Sequence, residues 1–164
     1  MDKQTIVLVG PMGVGKTTVG RKLAASLDLD FRDTDLIFKS QHGPIDVFFA
    51  EQGEPKFRAL EGVIVEEAIS QPGVVATGGG VVLSEKTREK LKATTVVYLS
   101  TDGTHMAQRL SQGKRPLIQN GLADWKRIYS DRKPLYEEVA DITIDCSGQP
   151  IKVTVSEIVE ALSN

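Results

Sequence analysis

Four apolar runs recur along the chain, TIVLV (5–9), VVAT (74–77), TVVYLS (95–100) and ITID (142–145). They are rich in β-branched residues and continuous rather than alternating, the pattern of strands covered on both faces. In LDLDFRD, Leu29 and Phe31 mark a fifth, shorter strand that ends in acids. Between these runs, helical spacing predicts helices over Thr17 to Leu27, Lys56 to Ser70, Ser84 to Lys92, Thr104 to Ser111 and Lys152 to Leu162. Strands alternating with helices imply an α/β fold, a five-stranded parallel sheet flanked by helices in three layers. No internal repeat or low-complexity tract interrupts the pattern.

Two stretches fit the alternation poorly. SQHGPIDVFFAEQGEPKFRALE is punctuated by Gly43–Pro44 and Gly53, and SQGKRPLIQNG (111–121) by Gly113 and Gly121. Ligands of open α/β sheets bind beyond the carboxyl ends of the strands, so insertions there are candidate substrate-binding and lid elements. The expected organisation is one domain over residues 1–164, with a substrate-binding insertion at about 34–61 and a lid at about 111–121.

Composition narrows the function classes. A chain of 164 residues buries about 70% of the surface its unfolded form exposes, enough for a core without staples. No apolar run approaches the roughly 18 residues of a membrane span, and the N-terminal apolar run ends in glycine, unlike a secretory cleavage site. The net charge of −2 argues against a broad nucleic-acid surface. Cys146 is the only cysteine; it excludes an internal disulfide and reads as a buried small hydrophobe. His42 and His105 read as surface residues and Trp125 as a packing residue. A cytoplasmic protein, expected to act as a monomer without nucleic acid or membrane, fits these features.

The chemistry starts at GPMGVGKT, Gly10 to Thr17. It matches G-x-x-x-x-G-K-S/T, directly after a predicted strand and before a predicted helix, as a phosphate-binding P-loop requires. Glycines let backbone N–H groups turn onto a phosphate, and the helix presents its positive end to it. Lys16 would reach the β- and γ-phosphates of ATP, and the Thr17 hydroxyl would ligate Mg²⁺. Gly13, Val14, Gly15, Lys16, Thr17 and Thr18 are therefore candidate nucleotide-binding residues. The competing reading is a glycine-rich turn followed by a chance Lys–Thr pair.

A P-loop leaves open whether the phosphate goes to water or to an acceptor. No N/T-K-x-D guanine reader occurs, which argues against a GTPase. Asp102, the nearest match to the magnesium-binding acid of an ATPase motor, reads as a helix cap before GTHMAQRL. Asp33 and Asp35, flanking Thr34, could hold a metal, hold a substrate or only close a strand. Gly78, Gly79 and Gly80 make either a flexible turn or a site of close ligand approach. Arg58 and Glu61 share a helix face starting near Pro55, where a surface ion pair is the plainer reading. Arg132 precedes Pro134, which can start a helix.

Taken together and in order, the P-loop GPMGVGKTTVGRKLA, the D-T-D at Asp33 to Asp35, FFAEQGEPKFRALE, ATGGGVV, GKRPL and R-x-x-x-Y-x-E-x-A from Arg132 to Ala140 resemble the shikimate kinases over nearly the whole chain. The resemblance implies a fold like that of nucleoside monophosphate kinases. It also implies transfer of the ATP γ-phosphate to the 3-hydroxyl of shikimate, in the chorismate route to aromatic amino acids. It assigns Asp35 to the substrate hydroxyls and their proton, and Asp33 to Mg²⁺, usually through water. Arg58 and Arg132 would bind the shikimate carboxylate, with amides near Gly79 and Gly80 contacting the substrate. Arg115 of the lid would reach the phosphates as a catalytic residue beside Lys16 and Asp35. Arg109 would pack on adenine, and Gln149 lies in DCSGQP, which resembles the adenine-side loop. A gluconate-type or other small-metabolite kinase, or an ATP-binding regulatory protein, are the alternatives.

Overall fold

The first apolar run forms β1 (Thr5–Val9) and lies at the centre of the sheet, paired in parallel with β3 (Gly73–Ala76) on one side and β4 (Thr95–Ser100) on the other. β2 (Phe31–Asp33) adds beyond β3, and β5 (Ile142–Asp145) beyond β4. The strand order is β2-β3-β1-β4-β5, and every pairing is parallel. This computed structural model describes residues 4–106 and 121–164.

Alternation along β1 divides the core. Ile6 and Leu8 face α1 (Lys16–Leu27) and α7 (Ile151–Leu162), packing with Val19, Leu23, Val155 and Ile158. Val7 and Val9 face the opposite layer, with Val65 of α4 (Glu54–Ala68), Leu91 of α5 (Glu85–Leu91) and the aromatics of α6 (Leu122–Val139). Both faces are dry, which explains continuous rather than alternating apolar runs. Burying each such Val, Leu or Ile is worth about 1.5–3 kcal/mol over leaving it exposed.

The first insertion folds as α2 (Thr34–His42), α3 (Ile45–Gln52) and the start of α4. It carries its own small core, Phe38, Phe57 and Ile64, with Ile37, Phe48 and Phe49 packed against them. Gly43 and Gly53 end α2 and α3 at φ 85° and 86°.

Two expectations are corrected. Pro134 does not start a helix but lies inside α6. An internal proline removes the bond to the carbonyl four residues back, at a cost of about 3 kcal/mol. Burial of Trp125, Tyr129, Arg132 and Tyr136, spaced four, three and four apart on one face, spans the proline and holds both halves. Cys146 is half-buried rather than buried: it packs against the core layer of α1 and α7 and also lines a pocket. The expected helix from Thr104 to Ser111 lies outside the described residues beyond Met106, as does the lid segment 111–121 up to Gly121.

Candidate active site

The P-loop leaves the carboxyl end of β1 at the middle of the sheet. A Cβ on Gly10 would stand 2.6 Å from the Leu99 carbonyl oxygen, so only glycine lets the chain turn so close to β4. Gly15 caps α1 at φ 103°, with no side chain satisfying the first turn, whose N–H groups thus open toward the loop. Lys16 is buried, its Nζ donating to the carbonyls of Gly10 at 2.6 Å and Pro11 at 2.9 Å. Thr17 and Thr18 are exposed on the first turn. Trp125 holds the loop from α6, its indole N–H donating to the Met12 carbonyl at 2.8 Å.

β2 brings the acids beside this loop. Asp33 is the N-cap of α2: its Oδ1 accepts from the amides of Asp35 at 2.9 Å and Leu36 at 3.1 Å. Its Oδ2 accepts from the Thr17 hydroxyl at 2.5 Å. Asp35, on the first turn of α2, points to the glycine triplet, where a Cβ on Gly78 would lie 2.9 Å from its Oδ1 and 3.1 Å from Glu61 Oε2. Burial, followed by repulsion from Glu61 and Asp33, raises the Asp35 carboxyl to about 6, against the pull of Lys16 and Arg58.

The same triplet receives both arginines. A Cβ on Gly80 would fall 2.4 Å from the Arg58 guanidinium nitrogens, and one on Gly79 3.5 Å from Arg132 Nη1. The three glycines are thus a surface against which charged groups lie, and none of them has a positive φ. Arg58 is held by Glu61 at 2.9 Å and Glu54 at 3.3 Å. Arg132 is 6% exposed, and burial lowers its guanidinium from the ordinary value. Arg58, on the plainer reading half of a surface ion pair, is instead partly buried against the triplet. Glu61, also 6% exposed, has its carboxyl raised by burial against the pull of Arg58.

The cluster can hold a small anion with hydroxyl groups. Two guanidinium groups face a carboxylate of raised pKa across a backbone without side chains, next to a phosphate loop. Sequence reasoning singled out Asp33, Asp35, Arg58, Gly79, Gly80 and Arg132 but treated Glu61 only as the partner of Arg58; its three-residue spacing from Arg58 was the available signal. Tyr136, whose hydroxyl donates to the Gly79 carbonyl, was seen only as a motif position.

On the other side of the P-loop, Val14, Thr101, Thr104, His105, Met106, Cys146, Gly148, Gln149 and Pro150 line a pocket of about 300 Å³. The Gln149 amide donates to Thr154 Oγ1 at 2.9 Å, which fixes the turn into α7. Asp102 accepts from the Thr104 amide at 2.8 Å, in keeping with a capping role, and its own amide donates to Ser147 at 2.8 Å. Arg109 and Arg115 lie outside the described residues.

A family model described as shikimate kinase matches residues 12–163. A shikimate kinase of Rhodococcus jostii is 43% identical, over 96% of this chain and 96% of its own length. One from Actinobacillus succinogenes is 42% identical, over 99% and 97%. Among solved structures, shikimate kinase from Acinetobacter baumannii in complex with shikimate superposes with a TM-score of 0.92 at 38% identity, covering 98% of this chain and 93% of that one.

Proposed function

The chain belongs to the shikimate kinase family, and from that premise we propose that it transfers the γ-phosphate of ATP to the 3-hydroxyl of shikimate, giving shikimate 3-phosphate and ADP in chorismate biosynthesis. The observation that supports this acceptor most directly is the convergence of Asp35, Arg58 and Arg132 on Gly78–Gly80 beside the P-loop. A carboxylated polyol needs a guanidinium fork at one end and an anionic acceptor at the other.

The residues divide the work. Arg58, braced by Glu61, and Arg132 bind the shikimate carboxylate and orient the ring. Asp35 accepts hydrogen bonds from the hydroxyl groups and takes the proton of the 3-hydroxyl as it attacks. Burial and the neighbouring carboxylates keep Asp35 basic enough for that task near neutral pH. The P-loop amides and Lys16, whose Nζ lies against the loop carbonyls of Gly10 and Pro11, hold the β- and γ-phosphates. Arg115 and Arg109 keep the roles the resemblance implies, at the phosphates and the adenine, the latter with the loop around Gln149.

Thr17 Oγ1 and Asp33 Oδ2 form a pair of hard oxygen donors at the foot of the phosphate loop, a fit for Mg²⁺. They would hold the ion, which when bound neutralises charge on the phosphates. Action as a monomer is part of the same proposal. No helix among the described residues is long and apolar enough to cross a membrane, in keeping with a cytoplasmic enzyme.

The test is ADP release measured with shikimate, gluconate, AMP or no acceptor. Turnover with shikimate alone is expected. Turnover with gluconate or AMP instead would assign a different kinase, and release without any acceptor would assign an ATPase or a nucleotide-driven regulator.

A further inference from the structure

Tyr136 lies one helical turn beyond Arg132 on α6 and is 1% exposed. Its hydroxyl donates to the Gly79 carbonyl oxygen, and the Arg132 guanidinium lies beside the same hydroxyl. The ring is stacked on Tyr98 at 5.3 Å between centroids and flanked by Tyr129 at 6.1 Å, so the phenol cannot swing away without opening the core.

The bond acts on the central peptide of a turn that the Val81 N–H closes onto the Gly78 carbonyl, a peptide that glycine at both inner positions lets face either way. Gly79 and Gly80 have no side chains, and glycine explores backbone angles that other residues avoid. Among the described residues the Gly80 amide donates to no protein acceptor, while Val81 and Leu83 on the following turn bond back to Gly78 and Gly80. In a trans peptide the carbonyl of one residue and the N–H of the next point in opposite directions, and no cis peptide occurs among the described residues. Holding the Gly79 carbonyl toward Tyr136 therefore turns the Gly80 N–H away from α6. Gly80 is also the glycine that lies directly against the Arg58 guanidinium.

We propose that Tyr136 is a positioning residue, whose hydroxyl sets the Gly79–Gly80 peptide so that the Gly80 N–H donates to an oxygen of the bound acceptor between Arg58 and Arg132. The inference rests on the proposed acceptor site. Tyr136 itself does not touch the substrate. It fixes a donor that the glycine loop alone would leave loosely oriented, from the same helix that supplies Arg132.

Tyr136→Phe keeps the ring and removes the hydroxyl. The KM for shikimate should rise about 5- to 20-fold, the effect of losing one oriented hydrogen bond, while kcat and the KM for ATP stay within about twofold. In the unaltered enzyme the Gly80 amide resonance should shift on saturation with shikimate, and in the Phe variant this shift should shrink. An unchanged shikimate KM overturns the proposal, as does a parallel loss in both KM values and kcat, which would signal a purely structural role. A Gly80 amide that does not respond to shikimate in the unaltered enzyme overturns it too, whether or not the variant folds. Absence of shikimate turnover in the unaltered enzyme would instead sink the acceptor assignment, and normal turnover with an indifferent Phe variant would sink only the role of Tyr136.

Discussion

Thr17 and Asp33 meet through a hydroxyl-to-carboxylate hydrogen bond of 2.5 Å, while the second oxygen of that carboxylate caps α2. One side chain thereby joins the phosphate-loop helix to the helix that carries Asp35. The two duties separate by substitution. Asp33→Asn keeps an oxygen for the cap but gives up the charge, so its melting temperature should stay near that of the unaltered protein while the Mg²⁺ concentration for half-maximal activity rises. Asp33→Ala should lose both, with about 0.5–2 kcal/mol of stability gone with the cap. Thermal melts and Mg²⁺ titrations of activity check this, and an unaltered Mg²⁺ requirement in both variants would remove Asp33 from the metal.

Asp35 gives a pH signature. Its carboxyl is raised from 3.8 to about 6, chiefly by burial and then by Glu61 and Asp33. Only the ionised form can accept the proton, so kcat/KM should fall as pH drops through about 6. Stability runs the other way: a raised acid binds its proton more tightly folded than unfolded, so its contribution is fully present below the unfolded value and is lost as pH rises through about 6. Asp35→Asn should abolish the acid limb and lower kcat by roughly 10²–10⁴-fold. A retained limb would assign it to another group, Glu61 being the nearest candidate.

Gly80→Ala presses on Arg58. The added methyl would lie 2.4 Å from Arg58 guanidinium nitrogens, and the backbone there, at φ −98°, accepts alanine without strain. The clash falls on the far end of a flexible side chain, so Arg58 should be displaced at little cost in stability. Shikimate affinity should drop by about 1.5–3 kcal/mol, the worth of a hydrogen bond to a charged group, with ATP affinity unchanged. Calorimetric titration with each ligand decides it. Equal affinity for shikimate in the variant would mean that Arg58 does not bind the acceptor.

These effects show which parts of the molecule were legible along the chain. β1, β4 and β5 were readable to the residue because strands buried on both faces announce themselves as continuous apolar runs. The P-loop was readable because its chemistry is local: each glycine and Lys16 acts within a few residues of the others. Glu61 was underread because its meaning is not local. Three-residue spacing to Arg58 suggests a surface pair, and only the approach of α2 and the glycine loop buries it against Asp35. Pro134 misled for the opposite reason, since a local rule about proline was overridden by four side chains of α6 that find partners on distant segments. The same face explains Tyr136, whose partner Gly79 precedes it by 57 residues.

Trp125, the only tryptophan in the chain, offers a last check because it sits on the phosphate loop itself. It is 3% exposed, donates to the Met12 carbonyl, and packs so close to Gly103 that a Cβ there would lie 3.0 Å from the indole. Phosphate bound to the P-loop amides polarises the loop carbonyls, including the one that Trp125 bonds. The indole emission should therefore respond to Mg²⁺-ADP, and respond much less to shikimate alone, whose proposed site lies by Arg132 further along the helix. Trp125→Phe keeps most of the packing and removes the donor, at about 1 kcal/mol. It should raise the KM for ATP several-fold and leave that for shikimate nearly unchanged, the mirror image of the split expected for Tyr136→Phe. Emission that follows shikimate rather than nucleotide would show that α6 communicates with the two half-sites in the reverse sense.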